Sequence, residues 1–156
     1  MRTALAALAI ALTACSTSAP GPAGKQVNVP QPDFAIHQLV GPLELNYPEG
    51  DYEVKYRLDI GNKADVPITL KRLEVVTVNP PGGAYTLDPG HRAYYFNKTI
   101  NPHQIATIEF WARATGYGRG RRENEPVTVR GTLYLDTPSG YFHHVFVKEL
   151  SQYGAE

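Results

Sequence analysis

Between residues 52 and 60 the chain reads Tyr-Glu-Val-Lys-Tyr-Arg-Leu-Asp-Ile, with an aromatic or aliphatic side chain at every even position and a charge at every odd one. Strand side chains alternate between two faces, whereas those of a helix recur every three or four residues, so this stretch can bury one face only as a strand. One face in a core and one in water is the mark of an antiparallel sheet. The same alternation returns at Val127, Val129, Leu133 and Leu135 against Thr128, Arg130, Thr132 and Asp136. It returns again at Ala106, Ile108, Phe110 and Ala112 against Thr107 and Glu109.

Between Val66 and Val78 the apolar phase slips: Ile68 and Leu70 occupy even positions, Leu73 and Val75 odd ones. A bulge near Lys71-Arg72, or a change of sheet, would return both pairs to the interior. Further strands are expected over residues 34–40, 85–87, 92–100 and 141–150. The last of these pairs with residues 127–136 through Thr137-Pro138-Ser139-Gly140, where the glycine can supply a positive φ. Asn79-Pro80-Pro81-Gly82-Gly83 and Asp88-Pro89-Gly90 mark other turns. Beyond the N-terminal residues no window has helical periodicity. The expected fold is all-β: a single antiparallel two-sheet sandwich of immunoglobulin-like or fibronectin type III-like character, with seven or eight strands over residues 33–156. A small barrel or jelly roll fits the same pattern. Trp111 could be the central core tryptophan of such a sandwich, yet it shares its parity with Thr107 and Glu109, so an outward position fits equally well.

The N-terminus carries a different signal. Arg2 precedes an unbroken run of Ala, Leu and Ile from Ala4 to Leu12, and Leu12-Thr13-Ala14-Cys15 ends on the one cysteine of the 156 residues. The charged and apolar segments have the layout of a secretory signal, and the run is too short for a membrane-spanning helix, which needs about 20 residues. The four residues ending at Cys15 resemble the lipobox of bacterial lipoproteins. That resemblance implies cleavage after residue 14, a lipidated Cys15, and membrane attachment through the lipid. Two or more acyl chains hold durably, since each buried methylene contributes about 0.8 kcal/mol. Ser16 is not the aspartate that retains many lipoproteins in the inner membrane, so the resemblance implies an outer-membrane position facing the periplasm. Residues 15–32, with four prolines, two glycines and few apolar side chains, are expected to form a flexible linker. At about 3.1 Å per residue it would reach at most roughly 50 Å.

Lys and Arg together number 15, as do Asp and Glu, and cleavage would remove only Arg2 from that balance. The chain therefore lacks the positive excess of a nucleic-acid binder. With Cys15 acylated there is no internal disulfide, so stability must come from the core of one domain.

Candidate chemistry is sparse. Beyond residue 32 the serines are Ser139 and Ser151, without a GxSxG or SxxK motif, and cysteine chemistry is ruled out by the lipid on Cys15. His143 and His144 are adjacent on a strand and point to opposite faces, so they cannot grip one ion together. No HxH, HExxH or Asp-rich calcium loop occurs, and only His91 and His103, on either side of one strand, form a pair for a metal test. No cofactor is expected. The segment from Gly116 to Glu125 is the most unusual. Arg119, Arg121 and Arg122 stand on a glycine-rich loop beside Tyr117, and guanidinium groups grip phosphates, headgroups and carboxylates bidentately. Glu123 and Glu125 can instead neutralise them within a solvated connection, and the spacing fits no Walker loop. As a glycosidase pair the two glutamates lack a cleft. Among the ten tyrosines, Tyr94, Tyr95, Tyr117, Tyr134 and Tyr141 include outward-facing positions suited to stacking on sugars or to a protein interface.

Asn62 to Leu73 (NKADVPITLKRL), followed by Tyr85, Leu87 and Ile100-Asn101-Pro102, resembles the water-stress and hypersensitive-response domain of late-embryogenesis-abundant proteins. That resemblance spans about 40 residues, lacks the family's second asparagine, and implies an immunoglobulin-like sandwich with no transferable active site. The sequence thus points to a lipid-anchored envelope protein whose β-domain is a non-enzymatic binding or assembly module. Its expected contact surface is Tyr117, Arg119, Arg121, Arg122 and Trp111, with an envelope protein as partner. The alternative partner is a glycan such as peptidoglycan, and a hydrolase or metal protein is a third reading. Oligomeric state is left open.

Overall fold

A computed structural model describes residues 25–40, 49–78, 84–117 and 126–150 of the chain. Eight strands follow in order: β1 Asp33–Val40, β2 Glu49–Gly61, β3 Ile68–Thr77, β4 Tyr85–Leu87, β5 Ala93–Ile100, β6 Ile105–Tyr117, β7 Val127–Thr137 and β8 Gly140–Leu150. A short 3₁₀ turn, Pro89–His91, joins β4 to β5. One sheet has the order β1-β2-β6-β4 and the other β5-β3-β7-β8, with every neighbouring pair antiparallel. The two sheets pack face to face as a β-sandwich.

Strand parity accounts for the core. Val54, Tyr56, Leu58 and Ile60 of β2 are fully buried, and Phe110, Ala112 and Ala114 of β6 lie beside them. Facing them from the other sheet are Ile68, Leu70, Leu73 and Val75 of β3, Val129, Leu133 and Leu135 of β7, and Phe142 and Phe146 of β8. Each such aliphatic or aromatic side chain contributes about 1.5–3 kcal/mol when fully buried. The phase slip in β3 is a bulge. Between Leu70 and Arg72 the pairing with β7 moves from Leu135 to Tyr134, which leaves Lys71 as the extra residue. Lys71 turns outward, donating a 2.7 Å hydrogen bond to Asn97, while Leu70 and Leu73 both reach the core.

Two connections are fastened by local polar groups. Buried Asn62, just after β2, donates through Nδ2 to the carbonyls of Val66 and Ile100 and accepts from the Ala64 amide. Its own amide donates to the Gln104 carbonyl, so a single side chain and its backbone tie the β2–β3 and β5–β6 connections together. The β7–β8 hairpin turns at Pro138-Ser139, where Thr137 Oγ1 accepts from the Ser139 amide and donates to the Gly140 carbonyl. Gly140 has φ +154°.

The C-terminal part of the expected linker lies against the sandwich. The Val27 amide donates to the Tyr141 carbonyl and the Tyr141 amide to the Lys25 carbonyl, a parallel bridge centred on Gln26 and Tyr141. Val29 packs on the core and Pro32 is buried. A Cβ on Gly140 would stand 2.0 Å from the Lys25 carbonyl oxygen, so glycine is what admits this segment.

Candidate functional site

Trp111 sits on β6 with its indole 49 % exposed, on the outer face it shares with Thr107, Glu109 and Arg113. Between the two orientations the sequence allows, the outward one holds. Lys55, its partner across the β2–β6 ladder, places Nζ 5.8 Å from the ring centroid and pairs with Glu109 at 2.5 Å. Of the other expected contact residues, Arg119, Arg121 and Arg122, like Cys15, lie outside the described residues. Of Tyr117 only the backbone is described, where it closes β6 opposite Glu49.

Trp111 instead opens onto a cleft that sequence reasoning missed. The cleft, about 790 Å³, lies beside the 3₁₀ turn and β5 and is lined by Glu53, Arg72, Glu74, His91, Arg92, Tyr94, Tyr95, Trp111 and Arg113. Tyr95 is 75 % exposed, because it faces out from β5 while its neighbours Tyr94 and Phe96 turn inward onto Phe110. Two exposed aromatic rings therefore share a concave surface with three guanidinium groups. Such surfaces suit stacking and bidentate recognition of carboxylates.

The charges divide into a neutralised set and an available set. Arg72 lies 3.9 Å over the Tyr134 ring and pairs with Glu74 at 3.4 Å, and the Tyr134 hydroxyl donates to the same carboxylate at 3.2 Å. Arg92 and Arg113 are exposed, and among the described residues no carboxylate comes within 4.0 Å of either guanidinium. Glu53 stands across the ladder from Arg113 and moderates the local charge. Asp88 caps the 3₁₀ turn by accepting from the Gly90 amide at 2.8 Å and from His91 Nδ1 at 2.5 Å. The His91 contact, then the Gly90 amide, hold its carboxyl below the ordinary aspartate value. Burial, with the Asp88 charge nearby, pushes the Tyr94 hydroxyl up to about 12, so it stays a neutral donor at the cleft floor.

His91 and His103 stand at opposite ends of β5 and bond different carboxylates, Asp88 and Asp65. Among the described residues no group of three or more His, Cys, Asp or Glu side chains is placed to hold a metal ion. His143 points outward and His144 inward, where its ring meets Phe34 edge-on at 5.1 Å. A second group of tyrosines is internal. Tyr56 donates to the Tyr85 hydroxyl at 2.6 Å, and Tyr85 donates to Gln38 Oε1 at 2.6 Å, a chain that satisfies three buried polar groups. Burial raises both hydroxyl pKa values, so these tyrosines belong to the frame of the sandwich.

No protein-family model matches the chain, and no curated protein matches it in sequence. Among solved structures the chain is similar to the structural-genomics target SoR45, with a TM-score of 0.50 and 14 % identity over 81 % of this chain and 89 % of that one. It is also similar to a protein from Archaeoglobus fulgidus, with a TM-score of 0.48 and 12 % identity over 75 % of this chain and 91 % of that one. At such identities the likeness to SoR45 concerns the fold alone. By fold the chain is an antiparallel two-sheet β-sandwich.

Proposed function

We propose that this chain is a lipid-anchored cell-envelope protein whose sandwich is a non-catalytic binding module. Its recognition surface is the cleft between Trp111, Tyr95, Arg92 and Arg113, with Arg119, Arg121 and Arg122 as further candidate contacts from the sequence. One observation carries the reading: two exposed aromatic rings and two arginines that form no ion pair within 4.0 Å among the described residues meet in one cleft. Exposed aromatic and arginine side chains supply most of the energy where proteins associate. The lipobox resemblance at Leu12 to Cys15 supports membrane attachment and a periplasm-facing outer-membrane location. The resemblance to the water-stress domain supports the sandwich fold and transfers no active site.

The favoured partner is an envelope protein presenting carboxylates. A glycan is the second reading, supported by Trp111 and Tyr95 opening into the same cleft, since exposed rings stack on sugar faces. Trp111→Ala and Arg113→Ala, both at exposed positions, are expected to leave the circular dichroism spectrum and melting temperature unchanged. They are expected to abolish recovery of the partner protein with the tagged chain from detergent-solubilised envelopes. Sedimentation of the wild-type chain with purified peptidoglycan, lost in the same variants, would favour the glycan. Retention of all partners by both variants would refute the cleft as the recognition surface.

A further inference from the structure

Four strands form the edges of the two sheets, β1 and β4 in one and β5 and β8 in the other. An edge strand offers unpaired N–H and C=O groups to any other strand, and proteins blunt such edges with short length, bulges and lysines. β4 has three residues, β1 breaks register between Gln38 and Val40, and β5 is offset at the β3 bulge and carries exposed Lys98. β8 is different. It runs eleven residues, and its register with β7 is unbroken from Val127↔Leu150 to Thr137↔Gly140.

The direction of its backbone groups follows from one residue. Tyr141 gives both its amide and its carbonyl to the Lys25–Val27 segment, so its peptide groups point away from β7. In an unbroken antiparallel strand every second residue does the same, which assigns His143, Val145, Val147 and Glu149 to an edge that no described strand covers. The N-terminal segment bridges the edge at Tyr141, ahead of these four. Val145 and Val147 are 56 % and 62 % exposed.

We propose that β8 pairs antiparallel with β8 of a second copy across a twofold axis at Phe146, joining the two four-stranded sheets into one continuous sheet. Only residues that direct their backbone groups outward can exchange hydrogen bonds across the axis. Of the registers that satisfy this, the one centred on Phe146 sets Val145 opposite Val147 and His143 opposite Glu149, each pair occurring twice by symmetry. Lys148 then falls opposite His144. Burial lowers the pKa of that imidazole and keeps it neutral, so no like charges meet. β8 and β5 are opposite edges of one sheet, so the pairing leaves the cleft beside β5 open and stands independently of the binding reading.

Sedimentation velocity of the full chain in detergent tests this. The wild type is expected to sediment as a dimer. Val145→Pro removes an amide that points away from β7, so it is expected to give a folded monomer. Glu149→Lys is expected to weaken the dimer by about tenfold or more, and His143→Glu combined with Glu149→Lys to restore it, because a carboxylate and an ammonium group then face each other at the same two positions. A wild type that stays monomeric at about 100 μM, where a Kd of about 1 μM would leave it mostly dimeric, would overturn the proposal. So would a dimer that both Val145→Pro and Glu149→Lys leave intact, or a Glu149→Lys defect that the exchange does not repair.

Discussion

Gly131 shows how closely neighbouring strands of one sheet are fitted. It occupies a core-facing position of β7, and a Cβ there would stand 2.3 Å from Phe146 Cζ and 2.8 Å from the Glu74 carbonyl oxygen. Gly131→Ala is expected to cost about 1–3 kcal/mol by overpacking, read by urea denaturation, and trimming Phe146 to Leu in the same chain should recover part of that loss. Tyr85 is fitted by polarity as well as shape. Tyr85→Phe keeps the ring but leaves Gln38 Oε1 without its donor and Tyr56 without its acceptor, which is expected to cost about 1–3 kcal/mol in the same measurement. Two titratable groups give stability a pH dependence of common sign. Hydrogen bonds from Thr107 and Arg57 hold the Asp59 carboxyl below its ordinary value of 3.8, and burial holds the His144 imidazole below 6.5. In both cases the unfolded chain binds more protons than the folded one. The His144 contribution is full above 6.5 and fades as pH falls through its lowered value. The Asp59 contribution is full above 3.8 and is lost at lower pH still. Denaturation midpoints measured from pH 8 down to 3 should therefore fall. His144→Phe should flatten the upper part of the curve, while Thr107→Val should move the Asp59 carboxyl back toward 3.8 in an NMR titration.

At the scale of elements, what can be read from the sequence depends on how locally each element is determined. β2 is legible because its own residues alternate, and the β3 bulge is legible because the apolar phase slips by one position at Lys71. Deleting Lys71 should remove the bulge and leave Leu73 and Val75 in the core, because Leu70 and Leu73 then stand two positions apart, and retained cooperative unfolding in urea would check it. Parity admits an outward Trp111 beside a core one, and the cleft it opens onto is not legible at all. That cleft joins side chains of β2, β3, β5 and β6, whose proximity is set by sheet order, and nothing in 120 residues of alternation states the order in which strands pair. The open edge of β8 is hidden for the same reason. Residues 25–32 read as linker because prolines and small side chains cannot build a core, yet two backbone hydrogen bonds and Val29 fasten them to one that already exists.

For the whole molecule, separate regions serve separate tasks in the proposed function: Cys15 attachment, the sandwich rigidity, and the cleft beside β5 recognition. Cys15→Ser should move the chain from the membrane fraction to the soluble fraction without changing its melting temperature, and its persistence in membranes would refute attachment through the lipid. The recognition claim is tested most directly by placing a photo-reactive amino acid at position 111 or 95 in the cleft and, as a control, at exposed Lys63 beside Asp33, then irradiating intact cells. A discrete adduct is expected from positions 111 and 95 that is lost when Arg92 and Arg113 are replaced by Ala, with none from position 63. Adducts from position 63 alone, or none from either cleft position, would contradict it.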